Sequence, residues 1–140
     1  MLLVIDPNVV ISAILGMGNS SMVFSVNNIE RRFDFVAPEF FIIELGKHTK
    51  KIATKTKLSF DEAKEALEFI VKQITFTPES QYKEKIAEAK EILKAHEKDT
   101  PYLALALKLN CKIFSGDKTL KKLFPDIVKN PQEILIEFGL

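Results

Sequence analysis

Four acidic residues of this chain stand where a carboxylate is costly unless it has a task. Asp6 ends the apolar run Met1-Leu2-Leu3-Val4-Ile5, which reads as a short buried strand. Asp117 follows Lys112-Ile113-Phe114-Ser115 and Gly116, again at the carboxyl end of a strand and before a helix. Glu44 is set among Phe40, Phe41, Ile42, Ile43 and Leu45, and Asp99 stands just before Thr100-Pro101. A carboxylate buried without a partner costs several kcal/mol or takes up a proton. The economical partner for several carboxylates at once is a divalent cation. Each residue also has a plain structural reading. Asp99 and Asp117 suit helix N-caps, and Glu44 suits the polar edge of an amphipathic helix.

The elements that must position these residues alternate between strand-like and helix-like. After the first strand, residues 8–15 carry a helical pattern, with Pro7 suited to its first turn. Gly16-Met17-Gly18-Asn19 interrupts it, and Ser20 and Ser21 suit the cap of a second helix to about Arg31. Residues 33–37 read as a strand, and Pro38 as the opening of a helix that carries Glu44. Ser59-Phe60-Asp61-Glu62 is a capping box that starts a helix to about Lys72. Gln73 to Thr77 is extended, and Pro78-Glu79 is expected to start a helix to about His96. Thr100 is expected to cap the next helix, with Pro101 at its first position. Residues 112–115 form a strand, a helix follows near 118–124, and Ile127-Val128 reads as a last strand. Asn130-Pro131-Gln132-Glu133 is a second capping box. The alternation predicts an α/β fold, a mostly parallel central sheet flanked by helices, in one domain over residues 1–140. In a parallel sheet Asp6 and Asp117 lie at the same edge, where open α/β folds place their chemistry.

Composition narrows the classes. A hydrophobic fraction of 46% with 28% charged residues belongs to a globular chain. Eleven Phe, two Tyr and no Trp point to core packing more than to a base-stacking platform. The net charge of +1 carries no global signature of nucleic-acid binding, so any such binding rests on a local patch. Lys47, Lys50, Lys51, Lys55 and Lys57 supply one, with no acidic residue among them; a solvated helix end reads equally well. The single cysteine, Cys111, excludes an intrachain disulfide and suits a small buried hydrophobe. Asp6 interrupts the first apolar run too early for a signal peptide. No apolar stretch approaches a membrane span. The expectation is a cytoplasmic soluble protein with no membrane attachment.

Taken in succession, four segments resemble the PIN-domain nucleases, a family that includes the toxins of VapBC-type toxin–antitoxin pairs. They are Val4-Ile5-Asp6-Pro7-Asn8-Val9-Val10-Ile11-Ser12-Ala13, Pro38-Glu39-Phe40-Phe41-Ile42-Ile43-Glu44-Leu45, Asp99-Thr100-Pro101-Tyr102-Leu103-Ala104-Leu105-Ala106 and Ser115-Gly116-Asp117-Lys118-Thr119-Leu120. The resemblance spans nearly the whole chain. It implies a PIN-like three-layer α/β/α architecture with an acidic pocket formed by Asp6, Glu44, Asp99 and Asp117. That pocket would hold Mg²⁺ or Mn²⁺ for hydrolysis of RNA phosphodiester bonds, with Asp6, Asp99 and Asp117 as metal ligands. Glu44 would act through water or position the attacking water. Pro7 departs from the family, which often has Thr or Ser there, and removes a hydroxyl contact without touching the carboxylates. Asn8 matches the family's Asn and is expected to orient Asp6. The resemblance also implies a homodimer and, for a toxin, a small antitoxin partner.

Further residues are assigned to the substrate side. Asn8 and Ser115 flank the acidic set, and Lys47, Lys50 and Lys51 continue the Glu44 helix, suited to lead RNA phosphates toward it. Outside that set, His48 shares the face of Glu44 and suits either a phosphate contact or a plain exposed position, and Ser115 and Thr119 flank Asp117, suited either to support it by hydrogen bonds or to cap the helix. Two other phosphate-handling classes fit less well. Haloacid-dehalogenase-type phosphatases need a second acid where Asn8 stands, and receiver domains need an acidic pair where Asp6 stands alone. The alternative of a different kind is a non-catalytic PIN-like module for RNA binding or assembly.

Overall fold

The structure is a computed structural model that describes every residue except Met17; of Thr49, Lys50 and Ala53 only the backbone is described. Among the described residues five strands form one sheet: β1 (Leu2–Ile5), β2 (Asp34–Pro38), β3 (Ile74–Thr77), β4 (Lys112–Phe114) and β5 (Val128–Lys129). Their spatial order is β3-β2-β1-β4-β5, and every pairing is parallel. Parallel strands covered on both faces must be apolar throughout; Leu3, Val4 and Ile5 are accordingly buried. The chain leaves β1 toward β2 and β3 and later returns on the other side as β4 and β5. The reversal places a crevice between the carboxyl ends of β1 and β4.

Eight α-helices among the described residues connect and cover the strands: α1 (Pro7–Ile14), α2 (Ser20–Glu30), α3 (Phe40–Lys55), α4 (Phe60–Val71), α5 (Ile86–Leu93), α6 (Thr100–Leu109), α7 (Lys118–Leu123) and α8 (Pro131–Glu137). Together they make a three-layer α/β/α sandwich. Helix α1 packs with α2, α3 and α4, whereas α6 packs with α5 and lies across β1, β2 and β4. Leu103, Ala104, Leu105 and Ala106 of α6 are all buried, as befits a helix covering the middle of a sheet. The phenylalanines form the centre of the core. Phe24 meets Phe35 edge-on at 5.5 Å and Phe114 at 6.0 Å, and Phe33 meets Phe138 at 5.3 Å. Asn27 is a buried polar exception. Its amide accepts from the Phe33 N–H at 2.9 Å and donates to the Phe33 carbonyl at 3.0 Å, pinning the chain between α2 and β2. Among the described residues no helix is long and apolar enough to cross a membrane.

Both capping boxes form, at Ser59/Glu62 and Asn130/Glu133. Several helix starts differ from the sequence expectation. Pro38 does not open α3; it is the last residue of β2, paired with Thr77 of β3, and α3 begins at Phe40. The segment from Pro78 is not one helix to His96. It makes two 3₁₀ turns, Glu79–Gln81 and Lys83–Lys85, before α5, because buried Tyr82 adopts a non-helical backbone between them. The N-cap of α2 is Asn19 rather than a serine, and that of α6 is Asp99 rather than Thr100. In the second case a 3₁₀ turn over Glu97–Asp99 runs directly into the helix and shifts its start.

Candidate active site

Strand register places the first pair of site residues. Ile5 pairs with Phe114, so Asp6 and Ser115 follow side by side at the carboxyl edge. The Asp6 N–H continues the ladder by donating to the Phe114 carbonyl at 3.0 Å. The Ser115 hydroxyl donates to Asp6 Oδ2 at 2.8 Å. Asn8, in the first turn of α1, donates from its side-chain amide to the same oxygen at 3.2 Å and from its backbone N–H to Oδ1 at 3.3 Å. The Asn8 carbonyl oxygen Oδ1 in turn accepts from the Gly116 N–H at 3.0 Å. Ser115 Oγ also accepts from the Asp117 N–H at 3.1 Å. Asn8 and Ser115 thus clamp the two strand ends together and fix the orientation of Asp6. As the N-cap of α1, Asp6 fills its structural role with one oxygen.

The other acidic residues arrive from three further elements. Asp117 is the N-cap of α7, and its Oδ1 accepts from the Leu120 N–H at 3.0 Å. That bond comes from Leu120, not from Thr119. Asp99 is buried at the start of α6, yet its side chain caps nothing there. Glu44 lies on α3 and is partly buried. Its Oε1 accepts a hydrogen bond from the hydroxyl of Tyr102, on the first turn of α6.

Electrostatics show that these four carboxylates share one region. Burial pushes the Asp6 carboxyl up to about 6, and the charges of Asp99 and Glu44 push the same way against the hydrogen bonds of Ser115 and Asn8. Burial also raises Asp99, with Asp117 and Glu44 adding to the effect and Lys98 and His96 opposing it. Tyr102 is raised by burial, by its bond to Glu44 and by the charges of Glu44, Asp6 and Asp99. Its hydroxyl therefore stays protonated and acts as a donor.

This is a set of oxygen donors crowded enough to repel one another, which suits a hard cation such as Mg²⁺ or Mn²⁺. Among the described residues no three His, Cys, Asp or Glu side chains approach closely enough to grip one ion together. Mg²⁺ is content with one or two carboxylates and completes its shell with water, so the donor set fits an ion held directly by at most two of the four. Asp6 and Asp117 each commit one oxygen to a helix cap, whereas the buried Asp99 caps nothing and is the most open of the four to direct ligation.

Lys47 and Lys51 are exposed on α3 beyond Glu44, about 4.5 and 10.5 Å along the helix axis from it. They form an open basic track and do not enter the acidic cluster. The side chain of Lys50 lies outside the described residues. His48 is partly buried on the same face. A groove of about 480 Å³ between α3 and α4, lined by Phe41, Ile42, Leu45, Leu67, Val71 and Phe76, contains no member of the acidic set.

Tyr102 is the site residue that sequence reasoning missed. A signal for it existed. It stands three residues after Asp99, hence on the same helix face, and it is the polar member of an otherwise Leu/Ala segment.

Comparison with known proteins bears on the fold and the family. In three dimensions the chain is similar to a chain in the crystal structure of VapBC2 from Rickettsia felis bound to a DNA fragment from their promoter. The TM-score is 0.68 at 12% identity, with 93% of this chain and 98% of that one covered. At such low identity the likeness concerns the fold alone. No curated protein matches in sequence. The sequence does match the PIN domain over residues 4–124, from β1 through the end of α7, a span that contains all four carboxylates, and the chain therefore belongs to the PIN-domain family.

Proposed function

We propose that this protein is a metal-dependent endoribonuclease that hydrolyses RNA phosphodiester bonds at the carboxyl edge of its sheet. The observation that supports the reading is the electrostatic coupling of Asp6 with Asp99 and Glu44, and of Asp99 with Asp117, carboxylates contributed by four separate elements. Mutual repulsion among carboxylates is a cost to the fold, and a site that binds a cation is the function that turns it to use. Asp6 and Asp99 are the proposed direct ligands, with Asp117 reaching the ion through water from its capping position. Bound there, Mg²⁺ or Mn²⁺ supplies charge neutralisation at the scissile phosphate and a more acidic water. Asn8 and Ser115 keep Asp6 oriented by the bonds described above; Asn8 is half-buried and lines the substrate side of the crevice, whereas Ser115 is fully buried and bears on substrate only through Asp6. Glu44 positions the attacking water through the oxygen that Tyr102 leaves free. Lys47, Lys50 and Lys51 bind phosphates of the flanking RNA and guide the strand toward the crevice.

We further propose that the chain acts in the cytoplasm as one domain over residues 1–140, as the toxin of a toxin–antitoxin pair with a small antitoxin protein as partner. The support is the likeness to a chain of a VapBC2 complex. A homodimer is the proposed assembly, supported by the exposed apolar side chains Phe40, Ile42 and Ile43 on α3.

The test is incubation of end-labelled single-stranded RNA with the purified protein and Mn²⁺, with and without chelator. Cleavage that chelator abolishes and Asp6→Asn removes is the expected result. RNA retention without any cleavage would replace the nuclease reading with that of a binding module. Chelator-resistant cleavage would overturn the metal dependence.

A further inference from the structure

We propose that Tyr102 is a positioning residue that acts through Glu44, fixing one carboxylate oxygen and leaving the other as the single working oxygen of that side chain. The inference rests on the acidic-pocket reading and adds a residue to it. Tyr102 is buried at 3% exposure, while Glu44 is only partly buried. The fixed member of the pair is therefore the tyrosine. Its ring is held in the core on α6 and its hydroxyl meets Glu44 Oε1. Among the described residues this hydroxyl is the only hydrogen-bond donor to the Glu44 side chain. The two residues are 58 apart in sequence, so the bond also ties α3 to the element that carries Asp99.

The chemical consequence follows from the freedom of the side chains. A glutamate has three rotatable torsions and is among the residues with most rotamer entropy to lose. A tyrosine has two, and a buried one has already lost them. Fixing Oε1 in advance removes the search that Glu44 would otherwise make before each turnover. It also turns the Oε1 edge of the carboxylate toward the tyrosine and leaves Oε2 the better placed oxygen to meet water or metal. Hydrogen bonds from neutral hydroxyls to a carboxylate are short and strong, which suits a contact that must hold a negatively charged group beside two others.

A double-mutant cycle tests this, using Tyr102→Phe and Glu44→Ala singly and together. The phenylalanine keeps the buried ring and removes only the hydroxyl. Two quantities are read on all four proteins: kcat and KM on single-stranded RNA with Mg²⁺, and the rise in melting temperature on adding Mg²⁺ without RNA. Tyr102→Phe should lower kcat about tenfold, the size of effect of one hydrogen bond to a charged group, with KM within about twofold. It should also alter the Mg²⁺-induced rise. In the Glu44→Ala background the same substitution should change neither quantity. An unchanged Tyr102→Phe enzyme, or an equal loss with and without Glu44, overturns the role given to Tyr102 while leaving the pocket standing. A parent protein with neither Mg²⁺-induced stabilisation nor cleavage overturns the pocket itself, and this inference with it.

Discussion

Replacing Asp6 by Asn should stabilise the metal-free protein at neutral pH, even though it disables the site. The magnitude follows from the burial of the carboxyl. Its pKa stands at about 6 against an ordinary 3.8, which at 1.36 kcal/mol per pKa unit is a charging cost of about 3 kcal/mol. Asparagine carries no charge and avoids it. The amide does lose complementarity, because Asp6 accepts from the Asn8 N–H on one oxygen and from Ser115 and the Asn8 amide on the other. Placing an NH₂ against one of those donors costs about 1 kcal/mol. The net gain is about 2 kcal/mol, a rise of roughly 4–8 °C in melting temperature for a chain of this size.

The sign with pH is definite. The folded state holds the Asp6 proton to higher pH than the unfolded state does, so it binds more protons between about pH 4 and 6. The contribution of this group to stability is therefore greatest below about 4 and is lost as pH rises through 6. The advantage of Asp6→Asn should accordingly be full near pH 7.5 and disappear near pH 4. Differential scanning calorimetry in chelator, on both proteins across that range, measures it. With Mg²⁺ added, the order should reverse or narrow, because metal stabilises only the carboxylate form. A variant less stable than the parent by a pH-independent amount would refute the reasoning, since Asp6 would then bear no charging cost.

Three more perturbations probe the surroundings. Asn27→Ala strips both bonds from the buried Phe33 backbone and should cost about 2–4 kcal/mol in urea unfolding; a loss below about 0.5 kcal/mol would show that the junction of α2 and β2 does not depend on it. Lys47→Glu and Lys51→Glu should each weaken RNA binding and reduce the slope of log K against log salt by about 0.7 for every phosphate the protein no longer neutralises; an unaltered slope would make the basic face of α3 a solvated surface only. Lys94, which ends α5 with φ +51° and ψ −104°, occupies backbone territory that glycine tolerates best, so Lys94→Gly should raise stability by about 1 kcal/mol; thermal melts that show a decrease would contradict that strain.

The fold was legible where a single physical demand governs a segment. Leu3-Val4-Ile5 and Ile113-Phe114 can only be buried parallel strands in an alternating chain, and the two capping boxes satisfy backbone donors within four residues of sequence. Legibility failed where distant partners decided. Pro38 has the local look of a helix start, but β3 arrives beside it and extends β2 through Thr77. The Lys/Glu-rich stretch after Pro78 favours a helix by propensity, yet the burial of Tyr82 imposes a break. The N-cap position of α6 fell to Asp99, one of its two sequence candidates, and not to Thr100, because the preceding 3₁₀ turn is continuous with the helix. In the site, the Asp6 side of the crevice was readable because parallel register alone sets it beside Ser115. The meeting of Glu44 with Tyr102 was not, because it depends on how α3 and α6 close over the end of the sheet.

The most direct measurement of the central claim is a crystal of this protein soaked in millimolar Mn²⁺ and recorded for anomalous scattering. The account predicts one peak at the crevice between β1 and β4, within about 2.0–2.3 Å of a carboxylate oxygen of Asp6 or Asp99, with waters completing an octahedron. The peak should vanish in Asp6→Asn. An empty crevice at millimolar Mn²⁺, or an ion bound elsewhere and indifferent to Asp6, would contradict it.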